Sequence, residues 1–448
     1  MSASMTRTKT PEGGHSGPPK SGLEKPVAVT SKNNLSAFGS SPEDWTEKSL
    51  GDILTLNYGC SLPEKKRVPG DAPVYGSNGI VGTHQQALVA SPGLIVGRKG
   101  SAGNVHYSRK PFCPIDTTFY IAPSDTSLDI EFLYFLLLHI DLRRILGDVG
   151  VPGLNREMAY KEKARLPTGA DEQRKIAGVL GLVQRALEQQ ERLIALTTEL
   201  KKALLHQLFT QGLRGEPQKQ TEIGPVPESW EVATLEDAAV TFDYGTSVKC
   251  EYGKAGVPVL RIPNVVVGSI DLSDLKHGQP KRSELEQLRL RDGDLLFVRT
   301  NGVLENAGRC ALYRGELDGC YFASYLIRVR VNSSKILPAL VNEYARTERG
   351  KSFLSGRAIR TADGKFNINS GTLKRMLLPL PRLDEQKEIV CQLDLLERKL
   401  KLHKAKHSVL NNLFRTLLHQ LMTAQLRVND LHLPELPYLA EMTHSIRA

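Results

Sequence analysis

Apolar residues recur at helical spacing in two long stretches of the chain, and the two stretches are copies of one pattern. Residues 171–214 align without a gap with residues 384–427, so that each residue of the first stretch corresponds to the residue 213 positions later. Both stretches open with Asp-Glu-Gln, continue to Leu-Leu-His-Gln-Leu and end in Leu-Arg. Because neither stretch contains a proline, each is predicted to form one long helix.

Apolar positions in both predicted helices follow a 4-3-4-3 spacing, which is the heptad pattern of a coiled coil. Two such seams in one chain can bury each other, so we predict that the helices pair. The alternative is two amphipathic helices in separate globular domains, but the helix length and the gap-free repeat favour pairing. The positions predicted to form the helix-pairing seam are Ile176, Leu180, Leu187, Leu204 and Leu208 in the first helix and Ile389, Leu393, Leu400, Leu417 and Leu421 in the second.

A region of short apolar segments separated by Gly, Pro and Asn precedes each long helix, and this pattern is typical of short strands. The first region opens with Pro-Glu-Asp before Trp45, and the second opens with Pro-Glu-Ser before Trp230. Each region also contains one helical pattern near its end, at about residues 130–146 and 337–355. The predicted fold class is therefore α+β, with two strand-rich domains that are each followed by a long helix.

The predicted organisation alternates domains and helices along the chain. Residues 1–40 are expected to be a disordered tail, because Ser, Gly, Pro, Lys and Thr dominate them and leave little apolar surface to bury. The further boundaries are domain 1 over residues 41–170, the first long helix over 171–214, a linker over 215–226, domain 2 over 227–383, the second long helix over 384–428, and a C-terminal tail over 429–448.

Composition restricts the class of protein without assigning it. The 448 residues carry a net charge of +10 and a pI near 9.2, which suits a polyanionic partner. The six cysteines form no C-x-x-C pair and no zinc-binding spacing. The longest apolar run, residues 132–138, is too short to span a bilayer, and the N-terminus lacks the apolar core of a signal peptide. A cytoplasmic location is therefore expected.

Known signatures of catalytic centres are missing from the sequence. It contains no phosphate-binding G-x-x-x-x-G-K-[ST] loop, no G-x-G-x-x-G after a strand, no Asn-Pro-Pro-aromatic motif, no H-E-x-x-H and no nucleophile elbow. Asp384 and Glu385 lie at a predicted helix start, where acids complement the helix dipole. We therefore expect no catalytic residues and no metal site in this chain.

Two loops combine glycines with side chains that suit nucleic acid. Arginine can bond guanine through two hydrogen bonds, asparagine can bond adenine, and serine or threonine can bond phosphates or base edges. Ordinary polar hairpin turns would have a similar composition. The candidate DNA-binding residues are Arg98, Lys99, Ser101 and Asn104 in the first loop, Arg299, Thr300 and Asn301 in the second, and Arg357, Arg360 and Lys365 in a later basic run that could equally be a solvated helix face.

Over about residues 42–428 the chain resembles the specificity subunits of type I restriction–modification systems. The repeated helices look like the paired spacer helices of that family, and four segments look like parts of its target-recognition domains. These segments are residues 75–80, 97–101, 259–264 and 293–301, and they add Asn78, Arg261 and Asn264 to the candidate DNA-binding residues.

The resemblance implies that each domain reads one half of a split site in double-stranded DNA. It also implies that the helices pack antiparallel, set the separation of the half-sites and dock two modification subunits. S-adenosylmethionine would then be bound by these methyltransferase partners, ATP and Mg would be bound by restriction subunits, and this chain would bind no cofactor. Two other functions remain open, namely a specificity partner of a stand-alone methyltransferase and a coiled-coil scaffold that binds protein. A cryptic enzyme is disfavoured by the missing motifs.

Overall fold

A computed structural model describes residues 44–89, 92–146, 153–253 and 255–431. The described chain forms two halves, each consisting of a strand-rich domain and the long helix that follows it. Half 1 contains β1 (Trp45–Ser49), α1 (Leu50–Ile53), β2 (Asn57–Tyr58), β3 (Ala72–Gly76), β4 (Gly79–His84), β5 (Gly93–Gly97), β6 (Val105–Ser108), β7 (Cys113–Pro114), β8 (Thr118–Ile121), α2 (Ile130–Ile140), α3 (Arg156–Lys161), β9 (Lys163–Pro167) and the long helix α4 (Ala170–Gln211).

Half 2 begins with a short hairpin and then follows the same plan. It contains β10 (Gln218–Thr221), β11 (Gly224–Pro227), β12 (Glu231–Thr234), α5 (Leu235–Ala238), β13 (Ala239–Tyr244), β14 (Val257–Leu260), β15 (Val265–Val266), β16 (Ser269–Ile270), β17 (Lys276–Gly278), α6 (Arg282–Gln287), β18 (Leu295–Val298), β19 (Thr300–Asn301), β20 (Cys310–Leu312), β21 (Tyr321–Phe322), β22 (Leu326–Val331), α7 (Pro338–Ala345), α8 (Glu348–Gly356), β23 (Ile359–Arg360), β24 (Phe366–Asn367), α9 (Ser370–Lys374), β25 (Leu377–Leu380) and the long helix α10 (Leu383–Met422).

The two domains have the same sheet topology. The four-stranded sheet has the order β2-β8-β5-β6 in domain 1 and β13-β22-β18-β20 in domain 2. The three-stranded sheet has the order β4-β3-β7 in domain 1 and β17-β14-β21 in domain 2, and in both cases its last pair is parallel. The first and last strands of each domain also pair, as β1 with β9 and β12 with β25. The predicted α+β fold class is therefore confirmed, and the duplication extends to the domains.

A buried glutamine fixes the start of each long helix to the domain before it. Gln173 accepts a hydrogen bond from the backbone N–H of Asp129 at 3.2 Å and donates one to the carbonyl of Pro167 at 3.0 Å. Gln386 accepts from the backbone N–H of Leu337 at 2.8 Å and donates to a carbonyl just before α10 at 2.9 Å. The third residue of the Asp-Glu-Gln motif is thus the joint between domain and helix, and Asp129 is the structural equivalent of Leu337.

Helices α4 and α10 pair in antiparallel orientation. His403 Nδ1 lies 3.0 Å from Gln190 Oε1, and these two residues are equivalent in the repeat. Further along α4, Lys201 bonds Glu397, which lies earlier in α10. Since each helix meets its own counterpart at the Gln190–His403 contact, a pseudo-twofold axis relates the two halves there. The helices contain 42 and 40 residues, which corresponds to about 60 Å each.

Both ends of the helix pair close a domain core. The start of α4 and the end of α10 pack into the core of domain 1, and the end of α4 and the start of α10 pack into the core of domain 2. Among the predicted seam positions, Leu187, Leu204 and Leu417 are half-buried, and the following are buried: Ile176, Leu180, Leu208, Ile389, Leu393, Leu400 and Leu421. The seam is therefore continuous with the cores.

The Leu-Arg dipeptide that follows α10 contacts half 1 of the molecule. Arg427 Nε bonds Glu172 Oε1 at 2.9 Å at the start of α4, and Arg427 Nη1 bonds Asp44 Oδ1 at 3.1 Å. At the opposite end, the indole N–H of Trp230 donates to Glu385 Oε2 at 3.0 Å at the start of α10. The second residue of each Asp-Glu-Gln motif therefore bonds a residue outside its own helix at the same end of the helix pair.

Several sequence-based boundaries differ from the structure, and the single helix predicted over about residues 337–355 is divided into α7 and α8. The predicted linker over residues 215–226 forms most of the β10–β11 hairpin, because Gly224 adopts the left-handed φ of 89° that its turn requires. The helix predicted over 130–146 ends at Ile140, since Asp141 has a left-handed φ of 54°. The long helices end at Gln211 and Met422, before the predicted boundaries. The predicted N-terminal tail and residues 432–448 lie outside the described residues.

Within the described ranges, the structure contains no helix that combines the length and the apolar character needed to span a membrane.

Candidate nucleic-acid interface

Three of the predicted polar residues of domain 1 come together where the loop after β5 passes the β3–β4 turn. Ser101 Oγ lies 3.5 Å from Asn78 Oδ1, and Asn78 is exposed. The carbonyl of Asn104 accepts a hydrogen bond from the N–H of Gly97 at 2.8 Å, which folds the loop back on itself. A Cβ on Gly97 would lie 2.3 Å from the carbonyl oxygen of Ser101, so the tight loop requires glycine there.

Beside this loop, two guanidinium groups lie close to the ring of Tyr58. The Cζ atoms of Arg98 and Arg156 both lie 5.3 Å from the ring centroid. Arg98 Nε also donates to the carbonyl of Asp116 at 3.2 Å, so its side chain is fixed at two points. Because Tyr58 is 55% exposed, both cations are displayed at the surface. Neither Tyr58 nor Arg156 was among the residues predicted from the sequence.

These residues border an open cavity of about 400 Å³. Three cations, Arg98, Lys99 and Arg156, line it, against one acid, Glu157. Guanidinium and ammonium groups around a surface cavity are suited to bind phosphates or the acceptor edge of guanine. Domain 1 therefore presents a compact cationic site, which we call the domain 1 cluster.

Domain 2 repeats the arginine–tyrosine contact. Arg299 Cζ lies 5.0 Å from the ring centroid of Tyr244. The carbonyl of Arg299 accepts a hydrogen bond from the N–H of Ile368 at 2.8 Å, as the carbonyl of Arg98 accepts one from the N–H of Leu154 at 2.8 Å. The two arginines therefore occupy equivalent positions. In both domains the tyrosine is the last residue of the edge strand, β2 or β13, of the four-stranded sheet.

A small sheet brings the second predicted loop next to the basic run. Strand β19, which consists of Thr300 and Asn301, pairs with β24, and β24 pairs with β23, which contains Arg360. Arg360 and Arg357 are exposed, and Arg357 Cζ lies 4.3 Å from the ring centroid of Phe353. Together with Arg299, the polar and cationic side chains of this sheet form the domain 2 cluster.

Two residues of this cluster, Lys365 and Asn301, are already bonded to other groups of the protein. Lys365, in the β23–β24 turn, pairs with Asp363 at 2.8 Å. Hydrogen bonds from Lys365 and then Thr361 lower the pKa of Asp363 to about 2, so the acid stays ionised and offsets the lysine charge. The side-chain oxygen of Asn301 accepts a hydrogen bond from the N–H of Val303 at 2.9 Å, which leaves its amide group available to a ligand.

Asn264 and Arg261 are engaged within the protein. The Asn264 side chain has no exposed surface; it accepts from the N–H of Arg261 at 2.8 Å and donates to the carbonyls of Asp271 and Asp274 at 2.8 and 3.0 Å. It is therefore a structural residue, and we correct its assignment as a DNA-binding candidate. Arg261 Nη2 pairs with Asp274 Oδ2 at 2.9 Å. Hydrogen bonds from Tyr252 and Arg261 lower the pKa of Asp274, so the arginine charge is compensated.

A second kind of surface lies on the long helices, on the side away from the seam. Exposed apolar residues recur there with heptad spacing, and most are equivalent in the repeat. They are Leu182, Leu196 and Leu200 on α4, which are 42, 57 and 56% exposed, and Leu395, Leu402, Val409 and Leu413 on α10, which are 68, 67, 67 and 44% exposed. We call these two rows the outer stripes. Apolar rows of this kind mark protein–protein contacts.

The chain is thus a duplicated protein, in which two domains of the same topology are joined to an antiparallel helix pair. Each domain has a cationic cluster at its surface. Comparison with known proteins shows which family the chain resembles. Residues 42–198 match the family model described as type I restriction modification DNA specificity domain. The chain is 32% identical over 183 residues to a putative type I restriction enzyme MjaX specificity subunit of Methanocaldococcus jannaschii, which covers 41% of this chain and 43% of that relative.

Two further similarities extend over most of the chain. It is 22% identical over 417 residues to the type I restriction enzyme MjaVIII specificity subunit of the same organism, which covers 87% of this chain and 95% of that relative. The crystal structure of a type I restriction–modification system S subunit from M. genitalium has the same fold, with a TM-score of 0.62 and 17% identity over 84% of this chain and 96% of that one. The resemblance to type I specificity subunits is therefore confirmed.

Proposed function

We propose that this chain is the sequence-specific DNA-binding subunit of a type I restriction–modification complex and that it recognises a bipartite site, one half-site per domain. The observation that carries this proposal is the same arginine–tyrosine contact at equivalent positions of two domains that are held on one helix pair. The spacing of such modules sets the spacing of the half-sites.

The two half-sites should differ in sequence, because the two clusters differ. The ring of Tyr58 carries both Arg98 and Arg156, whereas Tyr244 carries Arg299 and its hydroxyl bonds Ser370 Oγ at 3.1 Å. Domain 2 also adds strand β23 with Arg360, whose pairing with β24 is not repeated in the described residues of domain 1. Different side chains around a common arginine present different hydrogen-bonding patterns to the bases.

The outer stripes support two modification subunits as partners. The stripes are equivalent in the repeat and related by the pseudo-twofold axis, so each can take one copy of the same partner. These subunits would bind S-adenosylmethionine and methylate the DNA, while restriction subunits would use ATP and Mg for cleavage. The chain itself would bind no cofactor and have no catalytic centre. Native mass spectrometry of the assembled complex should then give two modification subunits per chain; a single one would contradict this arrangement.

The decisive test is methylome sequencing of cells that express this chain with its modification subunit. We expect a methylated motif of two short defined parts around a fixed gap, and we expect it to be absent when the chain is omitted. A folded and assembled complex that methylates no split motif would contradict the proposal and favour a protein-binding scaffold.

The Arg299→Ala variant tests the cluster in the same assay. Loss of a two-bond contact to guanine should cost about 1–3 kcal/mol and relax one position of one half-site. Arg282→Ala removes an exposed arginine of domain 2 that lies in α6, outside the cluster, and this control should leave the motif unchanged. A uniform loss at all positions in Arg299→Ala would instead identify a phosphate contact.

A further inference from the structure

The middle of α10 is far more basic than the equivalent part of α4. Residues 398–407 of α10 contain Arg398, Lys399, Lys401, Lys404 and Lys406 and no acid, and all five cations are exposed. The equivalent residues 185–194 of α4 contain two arginines and two glutamates. At two equivalent positions the charge is reversed, with Glu188 in place of Lys401 and Glu191 in place of Lys404.

Lys401 and Lys404 lie on the side of α10 that carries domain 2. On that side Asp394 pairs with Arg314 of domain 2 at 2.9 Å, and Glu397 pairs with a domain 2 arginine at 3.3 Å. Residues four and seven positions apart share one helix face, so Lys401 and Lys404 continue this side by one and two turns towards the centre of the helix pair. Within the described part of the chain, no ion pair neutralises either lysine.

The two lysines therefore lie between domain 2 and the helix crossing, and DNA that runs along this side of the helix pair from one half-site to the other would pass them. The gap in a bipartite site has no defined sequence, so any contact to it must be to the backbone. Contacts from lysine to phosphate are independent of sequence and serve to position the duplex. At the equivalent place beside domain 1, the carboxylates of Glu188 and Glu191 would repel phosphates.

We propose that Lys401 and Lys404 bind phosphates of the unspecified DNA between the half-sites, on the domain 2 side only. This inference rests on the proposed function, because it requires a bipartite DNA site. It assigns α10 a role in DNA binding in addition to its role as a spacer.

The test compares two double variants in the complete complex with its modification subunits. Lys401→Gln with Lys404→Gln removes the proposed contacts. Lys399→Gln with Lys406→Gln removes the same charge from the same segment on the opposite side of the helix, beside the outer stripe. Affinity for a bipartite duplex is measured as a function of salt concentration.

The affinity falls as the salt concentration rises, so the slope of log affinity against log salt is negative. Loss of two phosphate contacts should make this slope less steep by about 1.8. The fall in affinity between about 50 and about 200 mM salt should then be about 12-fold smaller than for the wild type. The change should be the same for every gap sequence, and discrimination between correct and altered half-sites should not change. The control variant should keep the wild-type slope.

Neutral methylphosphonates in the gap provide a second readout. Placed beside the half-site of domain 2, they should weaken wild-type binding but not further weaken binding by the Lys401→Gln/Lys404→Gln variant. An unchanged salt slope, or an equal change in both double variants, would overturn the proposal. Fewer bound modification subunits with an unchanged slope would show that this face binds protein instead. Failure of the bipartite function itself would appear differently, as a wild-type complex with no preference for the bipartite duplex.

Discussion

The two halves attach their domains to the helix pair at the same place but with different chemistry. In half 1 the rings of Phe135 and Phe414 contact each other with centroids 6.0 Å apart. The glutamine joints make Phe135 equivalent to Glu343, and the repeat makes Phe414 equivalent to Lys201. An aromatic contact in one half thus corresponds to a group of charged side chains in the other.

The charged joint of half 2 is a closed network of two cations and two anions. Lys201, only 5% exposed, bonds Glu397 and lies 3.5 Å from Glu343 Oε2. Arg346 bonds Glu343 at 2.8 Å and Glu397 at 3.3 Å. Burial raises the pKa of Glu397, but hydrogen bonding and charge from Lys201 and Arg346 outweigh it, and the net pKa is lowered.

The comparison shows that the same contact between a domain and the helix pair can be stabilised by apolar burial or by paired charges. The two solutions differ in selectivity, because apolar contacts tolerate different partners whereas a buried charge requires an opposite one. Docking of domain 1 at the end of the helix pair that contains Lys201 would place Phe135 against a buried ammonium. We infer that the joints direct each domain to its own end.

The largest effect is expected from Lys201→Ala. It leaves Glu343 buried with only Arg346 as its partner, and should destabilise half 2 by about 3 kcal/mol. Urea unfolding of a Trp45→Phe background, followed by the fluorescence of Trp230, measures this half. Lys202→Ala, an exposed neighbour, is the control. A loss below about 0.5 kcal/mol would mean that the network contributes nothing.

A somewhat smaller effect is expected from Phe414→Ala in half 1. The side chain is half-buried, so removing it should cost about 2 kcal/mol, less than for a fully buried phenylalanine. The Trp230→Phe background, in which Trp45 reports on half 1, gives the measurement. The exposed neighbour Leu413 serves as the control through Leu413→Ala. An equal loss in the free energy of unfolding for Phe414→Ala and Leu413→Ala would show that the aromatic contact adds no specific stabilisation.

The smallest effect is a difference in pH dependence. Burial, followed by the charges of His419 and Arg144, lowers the pKa of His139 from 6.5 to about 4 in the joint of half 1. The unfolded chain therefore takes up this proton at a higher pH than the folded chain, so stability is full above pH 6.5 and decreases as the pH falls towards 4. We expect the contribution of His139 to the stability of half 1 to fall by about 1.6 kcal/mol between pH 6.5 and about pH 5.

Half 2 provides the internal comparison for this pH experiment. The lowered pKa of Glu397 stabilises the fold above the ordinary glutamate value of 4.5, and this contribution is lost only as the pH falls below that value. The contribution of Glu397 to the stability of half 2 should therefore not change over the range in which the contribution of His139 to half 1 falls. His139→Asn should remove the pH dependence of half 1, and an unchanged dependence in that variant would assign the effect to another group.

The long helices and their pairing could be predicted from the sequence, because a heptad pattern and a gap-free repeat are long-range signals. The order of the strands could not, because the described strands contain only two to six residues and many pair with strands that lie far away in the chain. The same limit applies to Asn264, whose burial depends on the carbonyls of Asp271 and Asp274, which return to it from a later turn.

Arg98 and Arg299 could be predicted from loop composition, but their tyrosine partners and Arg156 were missed. A signal for them does exist, since Asn57-Tyr58-Gly59 and Asp243-Tyr244-Gly245 occupy the same place in the two domains. A three-residue similarity becomes meaningful only when the sheets are superposed. The contact between arginine and tyrosine joins different strands and therefore leaves no periodic pattern in the chain.

The bonds of Arg427 to Asp44 and Glu172 have a practical consequence for protein engineering. They bring the two ends of the described chain to one corner of the molecule, beside domain 1. A fluorescent protein or an affinity tag fused directly to either end of the described residues would therefore be attached from the same direction. Dyes placed at both ends would report on this corner alone, and probes of the distance between the two domains have to be inserted within the chain.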